Sequence, residues 1–161
     1  MNRATLIKEL RLKLIFLDVD GVLNCHHTKE RAPSGVIGID PQKVLLLKQI
    51  VQTASAPVVL TSSWQGASDR DFHYLCHSLD QYGLSIPSMS GAYGDWHNRG
   101  QVIRAAVQAL RPSAWVVLDD DQFPDFKEYR IGSHLVQTSF YKNGLEQKHV
   151  KRAIKILEGK A

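Results

Sequence analysis

Three short apolar runs, Leu14-Ile15-Phe16-Leu17, Pro57-Val58-Val59-Leu60 and Trp115-Val116-Val117-Leu118, each break off into a polar cluster. A run this short with no polar face fits a strand covered on both sides. The stretches between the runs follow a helical rather than an alternating period, and strand alternating with helix is the pattern of a parallel sheet with helices on both faces. The chain therefore reads as an α/β protein with a three-layer α/β/α, Rossmann-like arrangement and a mainly parallel sheet. In such a sheet the carboxyl ends of the strands share one edge, which is where ligands bind. Asp18 and Asp20 after the first run, Thr61 and Ser62 after the second, and Asp119 and Asp120 after the third should consequently converge.

The connecting segments carry recognisable start and stop signals. Cys25 to Ile39 holds Pro33, Ser34, Gly35 and Gly38 and reads as a flap over the sheet edge. Asp40-Pro41 opens a helix, with Asp as cap and Pro in the first turn, ahead of Val44, Leu45, Leu47, Ile50 and Val51. A second helix is predicted from about Asp69 to Tyr82, with Phe72, Leu75, Cys76 and Leu79 on one face and Gly83 as its stop. Ser85 to Gly94 is irregular or a short strand. Gly100 to Leu110 forms the next helix, His134 to Gln137 a short strand, and Glu146 to Leu157 the final helix.

At 161 residues, 43% hydrophobic and 22% charged, the chain suits one soluble domain over residues 1–161 with a sizeable core. No apolar stretch has the length of a membrane span, and Met1 to Lys13 carries scattered charges, so a cytoplasmic protein with no membrane partner is expected. Cys25 and Cys76 lack CxxC spacing and suit a reducing compartment. A net charge of +4 and a pI near 9.1 permit an acidic or phosphate-rich partner.

Carboxylates gathered on one edge need a cation, and an all-oxygen donor set without Cys or His selects Mg²⁺ as cofactor. A phosphate beside it would need neutral donors, which Thr61 and Ser62 supply, and a fixed positive charge, which Arg99 supplies next to a helix start. A nucleophilic acid, a metal, a hydroxyl and a cation together describe phosphoryl transfer through an aspartyl-phosphate. Asp18 and Asp20 are expected to take unequal roles.

On these residues the chain resembles the haloacid dehalogenase (HAD) superfamily of phosphohydrolases. Leu14 to Leu23 matches its first motif, Val58 to Thr61 the second, Arg99 the basic third and Val116 to Asp120 the acidic fourth. Thr61-Ser62-Ser63-Trp64, Leu118 to Asp121 and Leu135 to Thr138 with Gly144-Leu145 look most like the HAD domain associated with Swiss Army Knife RNA-repair proteins. The resemblance implies Asp18 as nucleophile and Asp20 as the acid that protonates the leaving oxygen and then activates water. It implies Mg²⁺ on Asp18, Asp120 and the Asp20 backbone carbonyl, with Asp119 as a ligand or the partner of one. The intervals around the motifs leave little or no room for a cap, so the substrate is expected to be a phosphorylated compound such as an RNA or DNA end or a nucleotide.

Two further readings stay open: a catalytically idle metal- or RNA-binding interaction module, and a small-metabolite phosphatase. Retention of both Asp18 and Asp20 speaks against the idle module. His73 and His77 read as a solvated helix surface rather than a zinc site, because they lack the HExxH glutamate. His26 and His27 read as an exposed pair in the flap, and Asp125 as solvated or an additional site acid, with Asp121 unassigned. Tyr93, Trp96 and Trp64 lie near site loops where they could stack on bases, Trp64 rather packing under the second strand. Lys148, Lys151, Arg152 and Lys155 form the wet stripe of the last helix and a candidate nucleic-acid contact.

Overall fold

The computed structural model describes residues 11–86 and 97–160. Among these, four strands form one sheet: β1 (Lys13–Leu17), β2 (Val58–Leu60), β3 (Ala114–Asp119) and β4 (Leu135–Gln137), in the order β2-β1-β3-β4. All three pairings are parallel, with Ile15 opposite Val58 and Val116, and Val117 opposite Leu135. The first strand is thus central, and its carboxyl end is flanked by those of β2 and β3.

Side-chain alternation along the strands splits the core in two. Ile15, Leu17, Val58, Leu60, Val116 and Leu118 face one side. There they meet α1 (Pro41–Ala54), α2 (Asp69–Asp80) and α4 (Gln147–Leu157) through residues such as Leu47, Ile50, Leu75, Leu79, Val150 and Ala153. Leu14, Phe16, Trp115 and Val117 face the other side, against Ile103 of α3 (Arg99–Leu110) and Phe123, Phe126 and Ile131 of the loop that follows β3. Both faces being covered explains why Leu14 to Leu17 contains no polar residue. The architecture is the three-layer α/β/α fold expected from the sequence.

Local chemistry sets the helix ends. Asp40 caps α1 by accepting the Gln42 N–H at 2.9 Å, with Pro41 as the first helical residue. The second helix is shorter than its periodicity predicts: it ends at Asp80, and a turn leads to Gly83, whose φ of 75° closes the segment. The Cys25 to Ile39 segment is a small hairpin rather than a loose flap. Arg31 bridges Ile37, the Ser34 N–H donates to Asp71 at 3.0 Å, and the Ile39 N–H donates to the Tyr74 hydroxyl at 3.1 Å, so α2 holds it from below. Among the described residues it is the whole insertion between β1 and α1, and no folded cap stands there. No helix among them is long and apolar enough to cross a membrane. Tyr93 and Trp96 lie outside the described residues, as does most of the segment from Ser85 to Gly94.

Candidate active site

Pairing continues one step past β1: the Asp18 N–H donates to the Leu118 carbonyl at 2.9 Å, and the Thr61 N–H donates to the Leu17 carbonyl at 2.8 Å. This continuation carries Asp18, Thr61 and Asp119 to the same edge, all three buried. Carboxylate oxygens of Asp18, Asp119 and Asp120 lie within 4.8 Å of one another. The Asp20 carboxylate is not in this group, so any share of Asp20 in holding a cation falls to its backbone carbonyl.

One guanidinium faces the cluster. The Arg99 head is 3.3 Å from Asp18 Oδ1 and 3.0 Å from Asp119 Oδ2, and lies 4.4 Å above the centre of the Phe123 ring. The other Asp119 oxygen accepts the Asp121 N–H at 3.0 Å. Burial raises the Asp18 carboxyl above its ordinary range, against the opposing pull of Arg99, the Val19 N–H and the Ser62 hydroxyl. Burial and the neighbouring Asp18 likewise raise Asp119. Asp120 is pushed up to about 6 by burial, Asp18 and Asp121. Three carboxylates against one guanidinium leave negative charge uncompensated in a dry place, and a hard divalent cation offsets that charge; the donor set fits one.

Thr61 is fully buried, and its hydroxyl has no hydrogen-bond partner among the described residues. A buried hydroxyl left unsatisfied costs roughly 1–3 kcal/mol, and an oxygen-rich ligand at the strand edge would supply the partner. Ser62, expected beside it as a second phosphate donor, is also buried and has a structural task as well. Its oxygen accepts the Trp64 N–H at 3.3 Å as the cap of a short 3₁₀ turn, Ser63–Gly66, and its side chain helps to draw the Asp18 carboxyl down against the effect of burial.

Asp20 is exposed at the rim and is held on both oxygens, by Asn24 Nδ2 at 2.8 Å and by the indole Nε1 of Trp64 at 3.1 Å. Trp64 is buried as a core residue, yet its one polar atom is committed to Asp20 and its ring is not open to a base. The glycine of Asp18-Val19-Asp20-Gly21 is required twice over. Its φ is 78°, and a Cβ there would stand 2.2 Å from Asp120 Oδ2. Thr138 fixes the same turn by donating to the Gly21 carbonyl at 2.6 Å, while its own N–H donates to Asp119 O at 2.9 Å.

Asp125 is neither solvated nor a fourth member of the cluster. Its buried carboxylate accepts the Gly100 N–H at 3.0 Å and the Gln101 N–H at 2.9 Å, capping α3 at the turn that carries Arg99. Asp121 contributes its N–H to Asp119 and stands exposed. His73 and His77 are on the exposed side of α2, and Lys148, Lys151, Arg152 and Lys155 are exposed on α4. Trp64, Asn24, Thr138 and Asp125 are the supporting residues whose roles only the folded chain reveals.

The edge therefore brings together a buried acid paired with a guanidinium, an unsatisfied hydroxyl, a cation-ready acidic cluster, and a second acid held in one orientation. A family model described as the HAD domain in Swiss Army Knife RNA repair proteins matches residues 14–150, a span that contains all of these groups. No curated protein and no solved structure matches the chain.

Proposed function

The chain belongs to the family of HAD domains in Swiss Army Knife RNA repair proteins, and from that premise we propose that it is a Mg²⁺-dependent phosphohydrolase acting on phosphorylated polynucleotide ends or nucleotides. The observation that carries this reading is the pairing of the Asp18 carboxylate with Arg99 on the strand edge that also holds Thr61, whose hydroxyl has no hydrogen-bond partner among the described residues. A nucleophile needs its target held and its charge matched, and these neighbours do both for a phosphoryl group.

An Asp18 oxygen forms a bond to phosphorus as the bond to the leaving oxygen breaks, and the leaving oxygen takes its proton from Asp20. Water then gives a proton to the Asp20 carboxylate and attacks phosphorus, which releases inorganic phosphate and restores Asp18. Trp64 and Asn24 keep Asp20 aimed for both transfers. Thr61 and Arg99 bind the non-bridging oxygens. Asp18, Asp120 and the Asp20 backbone carbonyl would hold Mg²⁺, with Asp119 braced by Arg99 beside them. The metal's contribution is to neutralise charge on the transferring group.

The deciding experiment is hydrolysis of phosphorylated oligonucleotides and nucleotides with and without Mg²⁺, by the wild type and by Asp18→Asn. Turnover should be lost on chelation and in Asp18→Asn while the far-UV CD spectrum is retained. Unchanged hydrolysis by Asp18→Asn would remove the aspartyl-phosphate from the reading.

A further inference from the structure

The turn after β4, from Ser139 to Gly144, is tied down along its length. The Leu145 N–H donates to the Val22 carbonyl at 3.0 Å, the Gly144 N–H to the Ser139 carbonyl at 2.9 Å, and the His26 N–H to the Phe140 carbonyl at 3.1 Å. The Lys43 ammonium also bonds the Asn143 carbonyl. On this fixed turn Tyr141 is 83% exposed. Phe140 packs against it edge to face, with ring centres 5.4 Å apart and planes at 89°. An exposed tyrosine is ordinary in isolation. This one stands beside a cleft of about 290 Å³ lined by Asp20, Asp120, Asp121, Ser139, Phe140 and Tyr141.

The cleft runs outward from the acid that serves the leaving oxygen, so what fills it is the group that the leaving oxygen belongs to. With Asp120 given to the metal and Asp20 to the leaving oxygen, the exposed Asp121 is the lining carboxylate left to repel a second phosphate placed directly there and to accept hydrogen bonds from hydroxyl and amino groups. Its other wall offers the Phe140 and Tyr141 rings on a hydrogen-bonded turn. A neutral, hydroxyl-bearing unit followed by a flat ring matches both walls, and a nucleoside is such a unit. We propose that this cleft receives the sugar and base of the nucleotide carrying the phosphate, the base stacking on Tyr141 with Phe140 bracing it. The inference rests on the phosphohydrolase reading and names its leaving-group subsite.

The test compares kcat/KM for a phosphorylated oligonucleotide, the same oligonucleotide with its phosphate-bearing residue made abasic, and a phosphorylated mononucleotide against ribose phosphate. Stacking makes the wild type prefer the base-bearing member of each pair. Tyr141→Ala should cut that preference about tenfold or more in both pairs, and Tyr141→Trp should keep it. A preference unaltered in Tyr141→Ala, or a fall shared equally by base-bearing and baseless substrates, would overturn the subsite. If the wild type hydrolyses none of these compounds, the phosphohydrolase reading fails by itself. Equilibrium binding of the oligonucleotide and its abasic twin to the wild type and Tyr141→Ala then decides on the cleft by the same ratio.

Discussion

A carboxylate at a solvent-exposed rim samples many orientations, and a proton donor is useful only in one of them. Asp20 escapes this because Asn24 and Trp64 each hold one of its oxygens. Trp64→Phe removes the indole N–H together with one ring of a buried side chain, so it frees one oxygen and lowers Tm as well. Proton donation matters most when the leaving oxygen is basic, so Trp64→Phe should slow release of a nucleoside much more than release of an acidic phenol. Asp20→Asn should show the same selectivity in the first step, more strongly, within the roughly 10²- to 10⁴-fold range of general acid catalysis. Equal slowing of both substrates by Trp64→Phe would mean that the indole only supports the fold. Asp120 offers a second test. Its folded pKa, about 6, stands above the ordinary carboxylate value, so the protonated form favours folding. That stability is complete below the unfolded value and is lost as pH rises through about 6. The Tm of metal-free protein should therefore fall over this window, and Asp120→Asn should flatten the decline. Added Mg²⁺ should raise the wild-type Tm more at pH 7 than at pH 5, which differential scanning fluorimetry reads directly.

At the scale of elements, the third helix acts as a lever for Arg99, and its fulcrum is Asp125. Gly100 leaves no room for a side chain: a Cβ would lie 2.8 Å from Asp125 Oδ1. Gly100→Ala should displace the cap, move the first turn and misplace Arg99, approaching the roughly 10²-fold loss of kcat/KM that accompanies a poorly positioned catalytic group. Further along the same helix, Arg104 donates from Nε to the Tyr129 carbonyl at 2.9 Å and lies 5.2 Å above the centre of the Trp115 ring. Arg104→Ala should lower Tm and leave kcat/KM nearly intact, a contrast that steady-state kinetics and thermal melts separate. The same helix marks the limit of what the sequence discloses. Apolar runs ending in Asp18, Thr61 and Asp119 are legible because strand burial and polar termini leave a local pattern. The partners that aim these groups are not local: Asp125 caps a turn 25 residues before it, Trp64 reaches an acid 44 residues away, and Thr138 bonds the carbonyl of Gly21, 117 residues earlier. No period or short motif encodes such pairs. The capping task of Ser62 is hidden for a related reason, since a hydroxyl after a strand looks the same whether or not it also holds the next turn.

For the whole molecule, the absence of a folded cap between β1 and α1 among the described residues favours a strand edge reached from outside. Among the described residues the hairpin after β1 is docked on α2, and it is too small to form a folded cap. An open edge excludes water poorly from a small ligand, whereas a chain end brings further contacts with it. The exposed stripe of Lys148, Lys151, Arg152 and Lys155 begins a few residues after the turn that carries Tyr141, and it runs back along α4. On the proposed function, phosphates upstream of the reacting end would follow it. Binding through such contacts releases counterions, so log affinity falls with log salt by about 0.7 per single-strand phosphate neutralised. A small aryl phosphate has no upstream phosphates and no such dependence. The kcat/KM advantage of a phosphorylated oligonucleotide over the aryl ester should therefore shrink as salt rises. In a Lys151→Ala/Arg152→Ala/Lys155→Ala variant both the advantage at low salt and its slope should diminish, with the aryl phosphate hydrolysed as before. Fast, salt-insensitive turnover of one small metabolite, with no reaction at RNA or DNA ends, would instead assign the open edge to small-molecule chemistry and reduce the stripe to the solvated face of an amphipathic helix.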